Sequence, residues 1–383
     1  MQKYLPGALA DIEARVRFLK GNTRPGKGRC NATLVRTCRE RLDKLAEKAQ
    51  DLRVEPPGEE PTAAAARFRE FRQLVGELDE LESIAVQVLM RWDDADARAN
   101  DLVERIAAEI GYPLAAPVVA CQSREYYHIY PHLGLMLIPP AEGAFLLHLP
   151  DLYHELAHPL LTEYNDPTIE PFHQAWLVLY ARAQAYVHDE LQREQRRRAT
   201  PMAFQHYLKI WRKSWRAWLV EFFCDVYAAH TLGPAFAWAH FHLVAKRGGD
   251  PFAVPLGYPN SHPADAARMD VVLEVLRGNG WNSDANAIER EWQAMLNLGG
   301  FEATAEYRRC FPGDLLQDIA RGAVQATNAI GCAAASPNGR AAIGTLLNEA
   351  WRQFWADPMD YGRWQEQAKQ RLDPVMTPSL ASA

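Results

Sequence analysis

The chain has no unbroken apolar run of the ~18 residues a membrane-spanning helix needs. Its opening residues, MQKYLPGALADIEARVRFLK, contain no apolar stretch of signal-peptide length. A membrane partner is therefore not expected, and the expected address is cytoplasmic. Positive charge is also in short supply: 42 Lys and Arg stand against 48 Asp and Glu, a net charge of −6. A chain with that balance offers no basic surface to a polyanion, so nucleic acid is not an expected partner. The one concentrated basic run, REQRRR from Arg193 to Arg198, ends an expected helix, where positive charge complements the C-terminal dipole. Six cysteines, Cys30, Cys38, Cys121, Cys224, Cys310 and Cys332, are scattered without C-x-x-C spacing in a chain large enough to need no disulfide staples, and a reducing compartment fits best. Internal repeats and low-complexity tracts are missing too.

What is there reads as a globular protein large enough for two or three domains, with 48% hydrophobic and 23% charged residues. From residue 8 to 110, apolar residues recur three and four apart between charges, predicting an N-terminal helical hairpin or bundle over 1–111. RVEPPGEEPT interrupts it as a turn. From Tyr112 the texture changes to short apolar runs, APVVACQS, YYHIYPHLGLMLIPP and GAFLLHLP, separated by Pro and Gly and expected as a small β-sheet. Helical patterns resume after Leu149, crowded with aromatics. A helix is predicted from about Ala264 to Arg277, and others over 284–298, 312–331 and 338–371, before a tail, DPVMTPSLASA. The expected fold class is mainly α with a small β-sheet (α+β), with a core over 112–277 and a C-terminal helical region over 278–383.

The stretch HLPDLYHELAHPLLTEYND, residues 148–166, holds His154, Glu155 and His158 as H-E-x-x-H. Residues four apart on a helix lie one turn above each other, so both imidazoles can face one point. Glu155 sits on the adjacent flank, where a base for hydrolysis at a zinc site belongs. The helix is expected to start near an Asp151 cap and to end in the region of Pro159 to Pro167. Zinc (Zn2+) is the expected cofactor, and manganese, cobalt or nickel would also suit such ligands.

Two histidines need a third protein ligand. In WRAWLVEFFCDVYAAHTLG, Glu221 and Asp225 share one face of a helix whose other neighbours are apolar. Carboxylates buried together call for a positive charge to compensate them. Glu163 and Glu170 compete for the ligand role from a Pro-rich turn, without such a helical partner.

His154, Glu155 and His158 followed by Glu221 and Asp225 resemble the H-E-x-x-H plus E-x-x-x-D pattern of gluzincin metallopeptidases, the group containing thermolysin-like enzymes, in a divergent member. The resemblance spans residues 115–270 at most. The interval from His158 to Glu221, 221 − 158 = 63 positions, is longer than in compact members and leaves room for an additional helix. The resemblance implies His154, His158 and Glu221 as metal ligands, Glu155 as general base, and Asp225 as acceptor for a ligand histidine. It also implies a strand edge that holds substrate backbone, for which HLGLMLIPP or GAFLLHL is the place; both serve equally as core strands.

Downstream, LGYPNSHPADAARMD offers Tyr258, His262 and Arg268. His262, then Tyr258, are candidates to steady an oxyanion, although His262 would serve equally as a loop cap; Arg268 suits the nearby carboxylates. His230, His240 and His242 on an aromatic helix read as packing residues, and His128, His132 and His148 flank the expected strands. The expected activity is a zinc-dependent peptidase acting on protein or peptide substrates, a metalloprotease of regulated proteolysis. Two other readings stay open: a helical module binding a partner protein through the N-terminal region with a structural or vestigial metal site, and a zinc hydrolase of a non-peptide amide.

Overall fold

A computed structural model of the chain describes residues 4–23, 29–54, 61–123, 126–163, 166–196, 202–339 and 341–371. Of the expected turn RVEPPGEEPT, Arg53 and Val54 end a helix and residues 55–60 lie outside these, as do Arg197 and Arg198 of the basic run and the C-terminal tail. The fold is mainly helical with one three-stranded mixed sheet. Its contacts divide the chain into two units: residues 1–102 with 117–140, and residues 103–116 with 141–383. The expected sheet thus groups with the N-terminal helices, and the C-terminal helices group with the motif helices.

The first unit is built on α1 (Tyr4–Asn22), α2 (Arg29–Val54) and α3 (Pro61–Leu81). Leu9, Ile12, Val16 and Leu19 form the buried stripe of α1, and they share a core with Leu34, Leu42, Leu78 and Leu135. After α3 a π-helical turn (Glu82–Val86) leads into α4 (Gln87–Met90). The long helix expected here stops at Met90 and restarts as α5 (Asp94–Ile110). The cause is the carboxylate pair Asp93 and Asp96. Asp93 accepts from the N–H groups of Ala95 and Asp96 at 2.7 and 3.1 Å, and Asp96 accepts from the Asp93 N–H at 2.9 Å, a reciprocal cap.

In the sheet, β3 (Leu135–Leu137) lies between β1 (Val118–Ala120), parallel to it, and β2 (His128–Tyr130), antiparallel to it. Asn100 supplies a side-chain substitute for a further strand: its amide donates to Val119 O at 2.7 Å and accepts from Val119 N at 2.9 Å. The expectation of a substrate-binding edge is corrected here. HLGLMLIPP forms β3, whose main chain is paired on both sides, and GAFLLHL forms a 3-10 turn (Glu142–Ala144) and further turns instead of a strand.

The second unit holds α6 (Asp151–Glu155), α7 (His158–Thr162), α8 (Glu170–Arg196), α9 (Met202–Leu232), α10 (Pro234–Arg247), α11 (Asp265–Gly278), α12 (Asn282–Gly299), α13 (Ala305–Cys310), α14 (Gly313–Ala329), α15 (Ala342–Ala356) and α16 (Tyr361–Lys369). α9 is its axis, packed by α6, α8, α10, α11 and α14. Trp211, Trp215, Trp218 and Phe222 are fully buried along it, and Phe311 sits 5.0 Å from Trp218 and 5.8 Å from Trp215 between ring centroids. Each such side chain contributes about 1.5–3 kcal/mol by leaving water. Gly233, at φ 92°, ends α9, and Pro234 opens α10 with its fixed φ. No helix of the described residues is long and apolar enough to cross a membrane. Cys38, Cys121, Cys224, Cys310 and Cys332 are free thiols.

Candidate metal centre

The H-E-x-x-H segment is helical but broken in the middle. Pro159 has no N–H to give to the Glu155 carbonyl. The chain therefore tightens at Ala157, whose N–H bonds His154 O three residues back at 3.0 Å, and resumes as α7 at His158. Pro150 occupies the N-cap position, so Asp151 lies in the first turn of α6 instead of capping it. All five residues of α6 are buried. The break still leaves the two imidazoles together, with ring centroids 5.1 Å apart at 73°.

α9 brings the third element. Glu221 Oε2 lies 3.4 Å from His154 Nε2. Two donors on one tetrahedral zinc, at 2.0–2.2 Å each, are about 3.3–3.5 Å apart, so this pair has the separation of co-ligands. On its other nitrogen, Nδ1, His154 meets Asp225 Oδ1 at 2.9 Å. With the proton on Nδ1, His154 donates to Asp225 and leaves Nε2 with a lone pair on the side of Glu221. Arg268 holds the same Asp225 with two bonds of 2.7 Å, from Nε to Oδ2 and from the terminal nitrogen to Oδ1, and stands 3.8 Å from Glu221 Oε2. His158 Nε2 is 3.9 Å from Glu155 Oε2. The competing carboxylates Glu163 and Glu170 are both exposed.

Charge explains what the cluster wants. Glu155, Glu221 and Asp225 are buried around a single guanidinium, Arg268, among the described residues. If all three carboxylates are ionised, two negative charges remain uncompensated, which is the charge of one divalent cation. The bare protein answers in other ways. Burial raises the Glu155 carboxyl to about 7, with Glu221 and Asp151 adding to the rise. Burial alone would depress His154, but Asp225 and Glu221 outweigh it and hold the imidazole well above its ordinary value. Burial likewise opposes ionisation of Glu221 and Asp225, and His154 and Arg268 override it, so both sit below the usual carboxylate range. Burial pulls His158 down to about 4, so it stays neutral with a lone pair to offer. A neutral His158, a His154 whose Nε2 proton a cation would replace, and the buried carboxylate of Glu221 fit zinc.

Sequence reasoning missed Cys224. Its sulfur and one ring nitrogen from each of His154 and His158 lie within 4.8 Å of one another. The signal was available, because Cys224 follows Glu221 by three positions and precedes Asp225 by one, on the same helical face.

His262 is brought to the cluster, with Nε2 3.8 Å from Glu221 Oε2 and Nδ1 2.9 Å from Ser261 Oγ. Its loop is laced to α9: Trp211 Nε1 donates to Pro255 O at 3.0 Å, Trp218 Nε1 to Asn260 Oδ1 at 2.9 Å, and the Asn260 N–H to Ser214 Oγ at 3.2 Å. Tyr258, on the same loop, is 87% exposed, and no hydrogen bond, ion pair or ring contact among the described residues joins it to the cluster. The remaining histidines have other partners. His230 lies 2.9 Å from Asn328 Oδ1 and His240 3.2 Å from the Asp265 carbonyl; His242 and His148 rings meet at 5.6 Å, and His132 pairs with Glu80 in the first unit.

No protein-family model matches this chain, and no curated protein or solved structure matches it either.

Proposed function

We propose that the protein is a zinc-dependent peptidase whose metal is held by His154, His158 and Glu221. The observation that supports it most is the pairing of the two motif histidines, ring centroids 5.1 Å apart, with Glu221 3.4 Å from His154 and Glu155 3.9 Å from His158, backed by Asp225 and Arg268. Bound zinc would supply a Lewis acid that polarises a carbonyl and acidifies water. Glu155 takes the proton from the attacking water and passes it to the leaving amine, a role that a carboxyl buried beside His158 can fill. Asp225 keeps the His154 tautomer, and Arg268 keeps Asp225 ionised. His262, held by Ser261 and facing Glu221, is the donor placed to steady an oxyanion. Peptide as substrate follows from the gluzincin resemblance of the motifs.

The test is to incubate zinc-loaded wild type and Glu155→Gln with a mixed peptide library and to count new amino termini. Cleavage by the wild type and none by a variant that still holds zinc supports the reading. Equal cleavage by both would remove Glu155 from the mechanism. A structural metal has no use for a buried carboxyl at position 155, which is why the catalytic reading is preferred to an interaction module.

A further inference from the structure

We infer that Cys224 binds the same cation and closes its coordination in a latent resting state, an inference that rests on the metal-site reading above. α9 presents three donors to the cluster, Glu221, Cys224 and Asp225, at spacings of three and four that share one helical face. Asp225 is already committed: Oδ1 receives His154 and Arg268, and Oδ2 receives Arg268. Glu221 and Cys224 are therefore the two donors left for a metal. Glu221 lies at co-ligand distance from His154, and the Cys224 sulfur clusters with nitrogens of both histidines. Two nitrogens, one oxygen and one sulfur make a full tetrahedral set, the pattern of a closed site.

A closed site cannot hydrolyse, yet Glu155 stands beside it with a role only in an open one. Both features are explained if one donor is displaceable, and chemistry selects Cys224. A thiolate that leaves the cation takes a proton and becomes a small neutral group, which the fully buried position of Cys224 accommodates. Glu221, by contrast, is held in place by His154 at 3.4 Å and Arg268 at 3.8 Å independently of a cation. The thiol thus occupies the position that substrate or water needs and gives it up when they compete.

The experiment uses the full chain loaded with cobalt(II) in place of zinc. Expected is a near-ultraviolet sulfur-to-cobalt charge-transfer band in the wild type, lost in Cys224→Ala and Cys224→Ser while both retain the metal. A simple hydroxamate should then bind the Cys224→Ala protein on the order of tenfold more tightly than the wild type. Cobalt bound by the wild type without that band would overturn the role of Cys224 and leave the metal site standing. Loss of cobalt from both variants, with the wild-type band present, would make Cys224 an indispensable ligand and overturn latency. A wild type that takes up no cobalt at all would overturn the metal-site reading itself, and this inference with it.

Discussion

Arg268 clamps Asp225 through two parallel 2.7 Å hydrogen bonds in the interior of the second unit, and the same carboxylate turns Oδ1 to His154 Nδ1 at 2.9 Å. A guanidinium fork on a carboxylate fixes direction as well as charge. One residue of α11 thus sets the orientation of an imidazole on α6 through a carboxylate on α9.

Replacing Asp225 by Ala leaves Arg268 buried without its main partner and His154 without its tautomer anchor. We expect a loss of about 3–5 kcal/mol in urea unfolding, because one half of a buried pair is removed. Zinc affinity in Asp225→Asn, where the shape is kept, should fall about 10–100-fold. Unchanged affinity in Asp225→Asn would show that His154 needs no such anchor.

Acid should destabilise the metal-free protein, and the sign follows from histidines outside the cluster. Burial holds His148 down to about 4, helped by Lys246, and burial also lowers His230, His240 and His242. Unfolded histidine titrates near ~6.5, so on acidification the unfolded chain binds protons first. The stability these groups confer is complete above ~6.5 and is lost as pH falls from there toward 4. His154, shifted upward, has the opposite sign and acts above ~6.5. The Glu155 and Asp270 carboxyls, raised by burial to about 7 and about 6, bind protons in the folded state within the window and offset part of the loss from the four histidines. The urea midpoint should therefore drop between pH 7 and pH 5; a midpoint constant over that range would contradict the assignment.

Gly233 tests the joint between α9 and α10. Its φ is 92°, and a Cβ there would come within 3.2 Å of the Trp281 ring. Gly233→Ala should cost more than about 1 kcal/mol and lower Tm, because both the backbone conformation and the packing oppose it. A Tm equal to that of the wild type would mean that the α9 to α10 joint adjusts freely.

The centre of the site was legible in the sequence because its information is local. H-E-x-x-H brings two rings together by a near-helical spacing that survives the break at Ala157, and Glu221 with Asp225 uses helical spacing on a second, unbroken helix. The break before Pro159 was missed, because the apolar pattern runs through it and predicts a helix that continues to the Pro159 to Pro167 region, although a proline denies its N–H to the carbonyl four residues back. Cys224 is signalled by its spacing from Glu221 and masked by its chemistry: a cysteine that follows two phenylalanines reads as a core residue. The central place of β3 was not readable, because alternation gives the faces of a strand and says nothing about its neighbours. The attachment of the His262 loop depends on indole N–H groups of Trp211 and Trp218 meeting Pro255 and Asn260, 44 and 42 residues away in the chain. No spacing rule encodes such a contact.

The central claim is most directly tested by the metal content of the purified protein, measured for wild type, His158→Ala, Glu221→Ala and Glu155→Gln after dialysis against zinc. Expected is about one zinc per chain in the wild type and in Glu155→Gln, with loss from His158→Ala and Glu221→Ala. A wild type that holds no zinc would contradict it, whatever the proximity of His154, His158 and Glu221.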